Sequence, residues 1–181
     1  MTVKTAPLLP HPASPAPAGL QLSASAEVDA AGDLHLHYGL RGPIADLLIP
    51  ANAQREARDG LWQHTCCEAF VAAAGSADYH EFNLAPSTCW AAYRFTAYRE
   101  RDLAWQPEAA PVIACQHNAQ EMQLTARIPA ALLPPAGRWQ ISLTTVIETR
   151  RGEKSYWALH HASPQPDFHQ RDSFVLELTR P

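Results

Sequence analysis

Residues 59–101 read DGLWQHTCCEAFVAAAGSADYHEFNLAPSTCWAAYRFTAYRER, and the way this stretch folds back on itself decides the architecture. Three extended runs follow one another, at 61–71, 79–84 and 89–98, divided by Gly-Ser and Ala-Pro-Ser-Thr breaks with turn chemistry. Side chains on a strand alternate between faces, so Tyr79, Glu81 and Asn83 share one side and His80, Phe82 and Leu84 the other. A four-residue connection over 85–88 sets Asn83 opposite Trp90, Glu81 opposite Ala92 and Tyr79 opposite Arg94. That register predicts one face carrying Tyr79, Glu81, Asn83, Trp90, Arg94 and Tyr98, open to solvent or a ligand. The other face carries Phe82, Leu84, Tyr93 and Phe95 and packs on a second sheet. A slip of one residue would exchange the two faces.

Outward from this stretch the chain keeps the same character. Residues 1–18 are rich in proline and alanine and predict an extended arm, leaving 19–181 as one domain. Leu20, Leu22, Ala24, Ala26 and Val28 alternate with polar residues, and after the Asp-Ala-Ala-Gly turn so do Leu34, Leu36, Tyr38 and Leu40, which predicts a hairpin. A short strand is expected at 44–50 and an exposed loop at 51–60. Trp105 falls in a loop at 99–111, as a lid on a pocket or a plug beneath the loop. A second hairpin is expected from 112–117 and 122–128, then a proline-stopped helical turn at 129–135. Strands follow at 139–148, 155–159 and 173–178. The sum is an all-β, antiparallel β-sandwich of jelly-roll or immunoglobulin-like kind, with about ten strands and one short helical turn.

Composition narrows the function. A net charge of −4 over 181 residues supplies no basic field, so neither nucleic acid nor an anionic membrane surface is an expected partner. No apolar run approaches the roughly 18 residues of a membrane span. After Lys4 the chain reads APLLPHPASPAPAG, which lacks the form of a secretory leader. The four cysteines, Cys66, Cys67, Cys89 and Cys115, include no CxxC and suit reduced thiols in a cytoplasmic protein, with a bridge from Cys89 to Cys66 or Cys67 as the alternative.

The succession LWQHTCCEAF (61–70), YHEFNLAPSTCWAAYRFTAYR (79–99), TTVIETRRGEKSYWALHH (144–161) and PDFHQRDSFVLEL (166–178) resembles bacterial DOMON-like proteins, which are related to family 9 carbohydrate-binding modules. The resemblance covers about residues 20–178 and rests most on YHEFN, WAAYRF, SYWAL and the PDFH…DSFVLEL pair. It implies a β-sandwich that binds sugars, as in the carbohydrate-binding relatives, or haem or sugars, as in other DOMON domains.

A pyranose offers apolar C–H faces and a rim of hydroxyls, so its sites join a flat aromatic to donors and acceptors at the edge. Trp90 and Tyr98 are the expected stacking surfaces, with Glu81, Asn83 and Arg94 bonding the rim and Tyr79 on the same face. Trp62, His64 and Glu68 on the neighbouring run are expected to join them. The histidine-rich segment HHASPQPDFHQRDSF brings His161, Asp167 and His169 to the same end; His160 and Asp172 lie beside them, yet no recognised metal-ligand spacing is present. The expectation is a non-catalytic domain for a sugar or polyol, without metal or cofactor. Two alternatives stand beside it: a haem-binding domain using Met122 with His64, His80, His160, His161 or His169, and a glycoside-processing enzyme using Glu68 and Glu81 as paired carboxylates. Ligand identity and oligomeric state are not set by these residues.

Overall fold

The alternation at 20–40 becomes the first hairpin: β2 (Gln21–Val28) pairs with β3 (Leu34–Arg41), Leu22 lying opposite Leu40 and Val28 opposite Leu34. Asp29 closes the turn, its Oδ1 accepting the N–H groups of Ala31 and Asp33 at 2.9 and 3.0 Å. The computed structural model describes residues 5–51 and 54–180. The expected arm at 1–18 and the expected loop at 51–60 therefore lie outside the described residues at 1–4 and at 52–53, as does residue 181.

On the far edge of β3 lies β9 (Glu121–Ile128), followed by its hairpin partner β8 (Val112–His117). Within the proline-rich 1–18 segment, β1 (Ala6–Pro10) joins the near edge through Leu8–Leu22. These five strands make one layer. The second layer runs β7 (Glu100–Arg101), β6 (Trp90–Ala97), β5 (Tyr79–Leu84), β4 (Cys66–Ala73), β10 (Arg138–Glu148) and β11 (Lys154–Ala158). β12 (Leu176–Thr179) pairs with the first half of β10 along the edge whose second half takes β11. β1 also pairs with β11 through Leu9–Ala158, so one strand stitches both layers into a continuous antiparallel sandwich, with twelve strands among the described residues. The expected strand at 44–50 is instead a 3-10 turn, Ile44–Asp46, with a single bridge at Leu47.

Between the layers, Leu22, Leu36, Tyr38, Leu124 and Ile128 from the first meet Val71, Phe82, Leu84, Trp139, Ile141 and Leu143 from the second, all nearly or fully buried. At about 25 cal/mol per Å² this apolar contact is the main stabilising term of the fold. Two of the largest polar side chains sunk in it are matched: Tyr38 Oη donates to the Glu68 carbonyl at 2.7 Å and Trp139 Nε1 to the Pro134 carbonyl at 3.0 Å. Trp105 is a plug, packed on the core with its ring 5.1 Å from that of His80. All four cysteines are free thiols, and three of them are buried.

The register of the β5–β6 hairpin corrects the expectation. Leu84 lies opposite Trp90, Phe82 opposite Ala92, Glu81 opposite Tyr93 and Tyr79 opposite Phe95. The closing pair is Ala85 and Cys89, joined by an N–H to carbonyl bond of 3.0 Å, so the loop is Pro86-Ser87-Thr88. Thr88 takes a left-handed φ of 72°, the place where a three-residue loop after a tight turn ordinarily uses glycine. A β-branched residue in that conformation is uncommon, which hides the shorter loop from a reading of turn chemistry. The parity change moves Trp90, Ala92 and Arg94 to the interlayer face and brings Tyr93 and Phe95 to the side of Glu81.

Candidate cleft on the outer face of the second layer

The outer face of β4, β5 and β6 is not left bare. Phe70, Tyr79, Phe95, Phe168 and Phe174 form a second apolar cluster there, because the segment after β11 folds back over the sheet. Phe70 sits 5.2 Å from the His169 ring and 5.9 Å from the Phe174 ring, and Tyr79 stacks on Phe95 at 4.9 Å with 8° between planes. Asp167 fastens this covering segment. It accepts from Tyr98 Oη at 2.6 Å, Arg99 at 2.9 Å, Gln170 at 3.0 Å and the His169 N–H at 3.1 Å. Burial would raise its pKa, but these bonds together hold the carboxyl below the ordinary range. Arg99, the second residue past the end of β6, has a positive φ of 56°.

Beside the clasp lies a cleft of about 950 Å³, with Glu68, Phe70 and Glu81 on its floor and Trp62, Tyr93, Arg99, Arg101 and Tyr156 around it. Glu68 faces Asn83 across the β4–β5 ladder and Phe70 faces Glu81, so the two carboxyls are diagonal neighbours on one face, with Cβ atoms about 7 Å apart. Both are almost fully buried. Glu81 accepts from the Asn83 amide at 2.6 Å, whereas Glu68 has only the Thr144 hydroxyl at 3.5 Å, and its Oε1 meets no hydrogen-bond partner. Burial, reinforced by the neighbouring Glu81, pushes Glu68 far above the ordinary carboxylate range. Burial also pushes Glu81 up to about 7. His169 goes the other way: burial, with Arg99 nearby, lowers it to about 4, so it is neutral at physiological pH. Its Nδ1 shares a 2.8 Å hydrogen bond with Tyr79 Oη, which also accepts the Arg99 N–H at 3.1 Å.

At the rim, Trp62 stands on the 3-10 turn Leu61–Gln63 with 52% of its surface exposed. Arg101 lies 4.1 Å over the Tyr93 ring, and Tyr93 Oη donates to Asp59 at 2.6 Å.

Of the expected site residues, the fold brings Trp62, Glu68, Glu81, Asp167 and His169 together around the cleft. Tyr79 and Asn83 lie one step beneath, holding His169 and Glu81. Tyr98 is no stacking surface of β6: it sits past the strand end and bonds Asp167. His64 turns away to Glu148 at 2.6 Å, and His161 bonds the Leu9 carbonyl at 2.8 Å beside the His11 ring. Trp90 is corrected outright, since its ring is buried between the layers and has no face for a ligand. Arg94 follows it to that side, at the sheet edge, 3.8 Å from both Asp78 and Asp102. Met122, weighed as a haem ligand, is wholly buried in the interlayer core. Tyr93, Arg99, Arg101, Tyr156 and Phe168 were not expected at the site. The alternation in WAAYRF carries the signal for Tyr93 once the loop is three residues long; Tyr156 and Phe168 arrive from distant elements and leave no local trace.

No family model and no curated protein sequence matches the chain. Solved structures do resemble it in fold. A protein from Bacteroides uniformis classed as a candidate carbohydrate-binding protein superposes with a TM-score of 0.70 at 15% identity, over 98% of this chain and 86% of that one. A family 9 carbohydrate-binding module from Caldicellulosiruptor kristjanssonii in complex with cellotriose gives 0.57 at 11% identity, over 91% and 76% of the two chains. A family 9 module of the same organism in complex with glucose gives 0.55 at 11% identity, over 91% and 78%. At these identities the likeness shows the fold alone, an antiparallel β-sandwich shared with those proteins.

Proposed function

We propose that this protein binds a sugar-like ligand in the outer cleft of the second layer, without turning it over. The observation that carries the reading is the chemistry of that cleft. An exposed indole and two tyrosines surround buried carboxyls, so one ligand can be held by its apolar ring face and by its hydroxyl edge at once. The fold supports it, since modules of the same architecture have been solved with cellotriose and with glucose. Trp62 is the stacking surface. Glu81 is the hydroxyl-bonding group, and Asn83 holds it in place.

Titration calorimetry with glucose, cellobiose and a panel of other mono- and disaccharides tests the proposal. At least one is expected to bind, and Trp62→Ala is expected to weaken that binding about tenfold or more, the scale of one lost stacking contact. Unchanged affinity in Trp62→Ala would remove the cleft from consideration. Turnover of a chromogenic glycoside, abolished in Glu68→Gln or Glu81→Gln, would replace binding by hydrolysis.

A further inference from the structure

This inference rests on the sugar-binding reading and concerns which sugars the cleft prefers. The charges around it pair off unevenly. Arg99 is matched by Asp167 at 2.9 Å and Arg101 by Asp59 at 3.8 Å, so each rim guanidinium has its own aspartate. Among the described residues neither Glu68 nor Glu81 makes an ion pair with an arginine or a lysine. The nearest imidazole nitrogen, His169 Nε2, stands 3.8 Å from Glu81 Oε2 and belongs to a ring that burial keeps neutral. The other groups that act on the two carboxyls are the Asn83 amide, the Thr144 hydroxyl and the Cys66 thiol, none of them charged at neutral pH, together with Arg99 and Arg101, whose charges favour an ionised Glu81 from the rim while each is paired to its own aspartate. One carboxyl oxygen, Glu68 Oε1, is buried on the cleft floor with its hydrogen-bonding capacity unused. A buried acceptor left in this way invites a donor from outside.

We infer that the cleft selects an amino sugar, a hydroxylated ring whose protonated amine docks between Glu68 and Glu81 while the aromatic rim holds the ring. The ammonium supplies the counter-charge that the floor lacks and donates to both carboxyls, the stronger kind of hydrogen bond. A neutral sugar reaches the same place with a hydroxyl and gains less. Because the pair holds protons near neutrality in the empty cleft, docking a cation there expels one.

The test is calorimetry on the full chain with methyl glucoside and its 2-amino-2-deoxy and 6-amino-6-deoxy counterparts, at pH 6, in two buffers of different ionisation enthalpy. One amine is expected to bind about tenfold or more tighter than the parent glucoside, as a charge-assisted hydrogen bond predicts. On the order of one proton should leave per ligand bound. The advantage is expected to vanish in the Glu68→Gln/Glu81→Gln double variant; if that variant does not fold, Glu81→Gln alone carries the same readout. If the glucoside binds and neither amine exceeds it, or if the advantage comes without proton release or survives in the variant, the amine inference falls and the sugar reading stands. If neither the glucoside nor an amine binds, and no sugar of the wider panel does, both fall.

Discussion

The two faces of β4, β5 and β6 are built from alternate residues of the same strands, and both are buried, yet they are different materials. The interlayer face presents Cys67, Ala69, Val71, Phe82, Leu84, Trp90 and Ala92 to the opposite layer. The outer face presents Glu68, Phe70, Tyr79, Glu81, Asn83, Tyr93 and Phe95 to a folded-back segment and a cleft. Burial on the first face is a packing problem that apolar side chains solve among themselves. On the second it is electrostatic: carboxyls and an imidazole are sunk beside aromatic rings, and each shifts toward its neutral form. One sheet thus separates stability from chemistry by a rotation of one residue along the strand.

The sharpest way to break this contrast is Trp90→Ala. On the interlayer face it should cost about 3–5 kcal/mol, read from denaturant unfolding, because the cavity it leaves is enclosed by both layers. A fold that survives with little loss would put Trp90 back at a surface.

The next effect is the pH dependence of the outer face. Glu81 is protonated more readily in the folded chain, at about 7, than in the unfolded chain at the ordinary carboxylate value. Its favourable contribution is therefore complete below that ordinary value and is lost as pH rises through about 7. Glu81→Gln cannot ionise, so relative to wild type it should gain on the order of 3 kcal/mol between pH 4 and pH 8. Parallel stability curves for the two proteins would contradict the buried carboxyl.

His169 has the opposite sign and a smaller size. Its folded pKa of about 4 lies below the ordinary imidazole value, so its contribution is full above that value and disappears as pH falls through about 4. Against a His169→Gln variant, the wild type should lose about 2 kcal/mol between pH 7 and pH 4. The comparison sharpens if the acid limb belongs to His169 and the neutral limb to Glu81.

Smallest is the stability effect of Trp62→Ala. An exposed rim residue should change unfolding free energy by no more than about 0.5 kcal/mol, even as it removes the stacking surface. Stability and binding would then be read from two tryptophans, one on each face.

Strand positions were legible because apolar alternation needs no partner to be seen; the runs at 20–28, 34–40, 112–128 and 139–148 became strands within a residue or two. The site was legible in part. Glu68 and Glu81 stood out as carboxyls inside extended runs and His169 as a member of the histidine-rich segment, and the fold gathers them. Trp90 and Arg94 were misplaced by one residue of loop, because Thr88 fills a left-handed position that usually announces itself with glycine. His64 and His161 were misplaced for another reason: their partners, Glu148 and Leu9, lie far along the chain.

Residue order alone sets the element type here, an antiparallel sandwich, since a period of two in side-chain character admits little else. It also places the few buried carboxyls within that pattern. What residue order leaves open is which face of β5 looks inward, for all six of its residues are buried and both sides are apolar enough to pack. Only the folded chain selects, through the tight Pro86–Thr88 turn and through the segment around Asp167 that closes over the outer face, and with that selection one set of alternate residues becomes core and the other becomes the cleft.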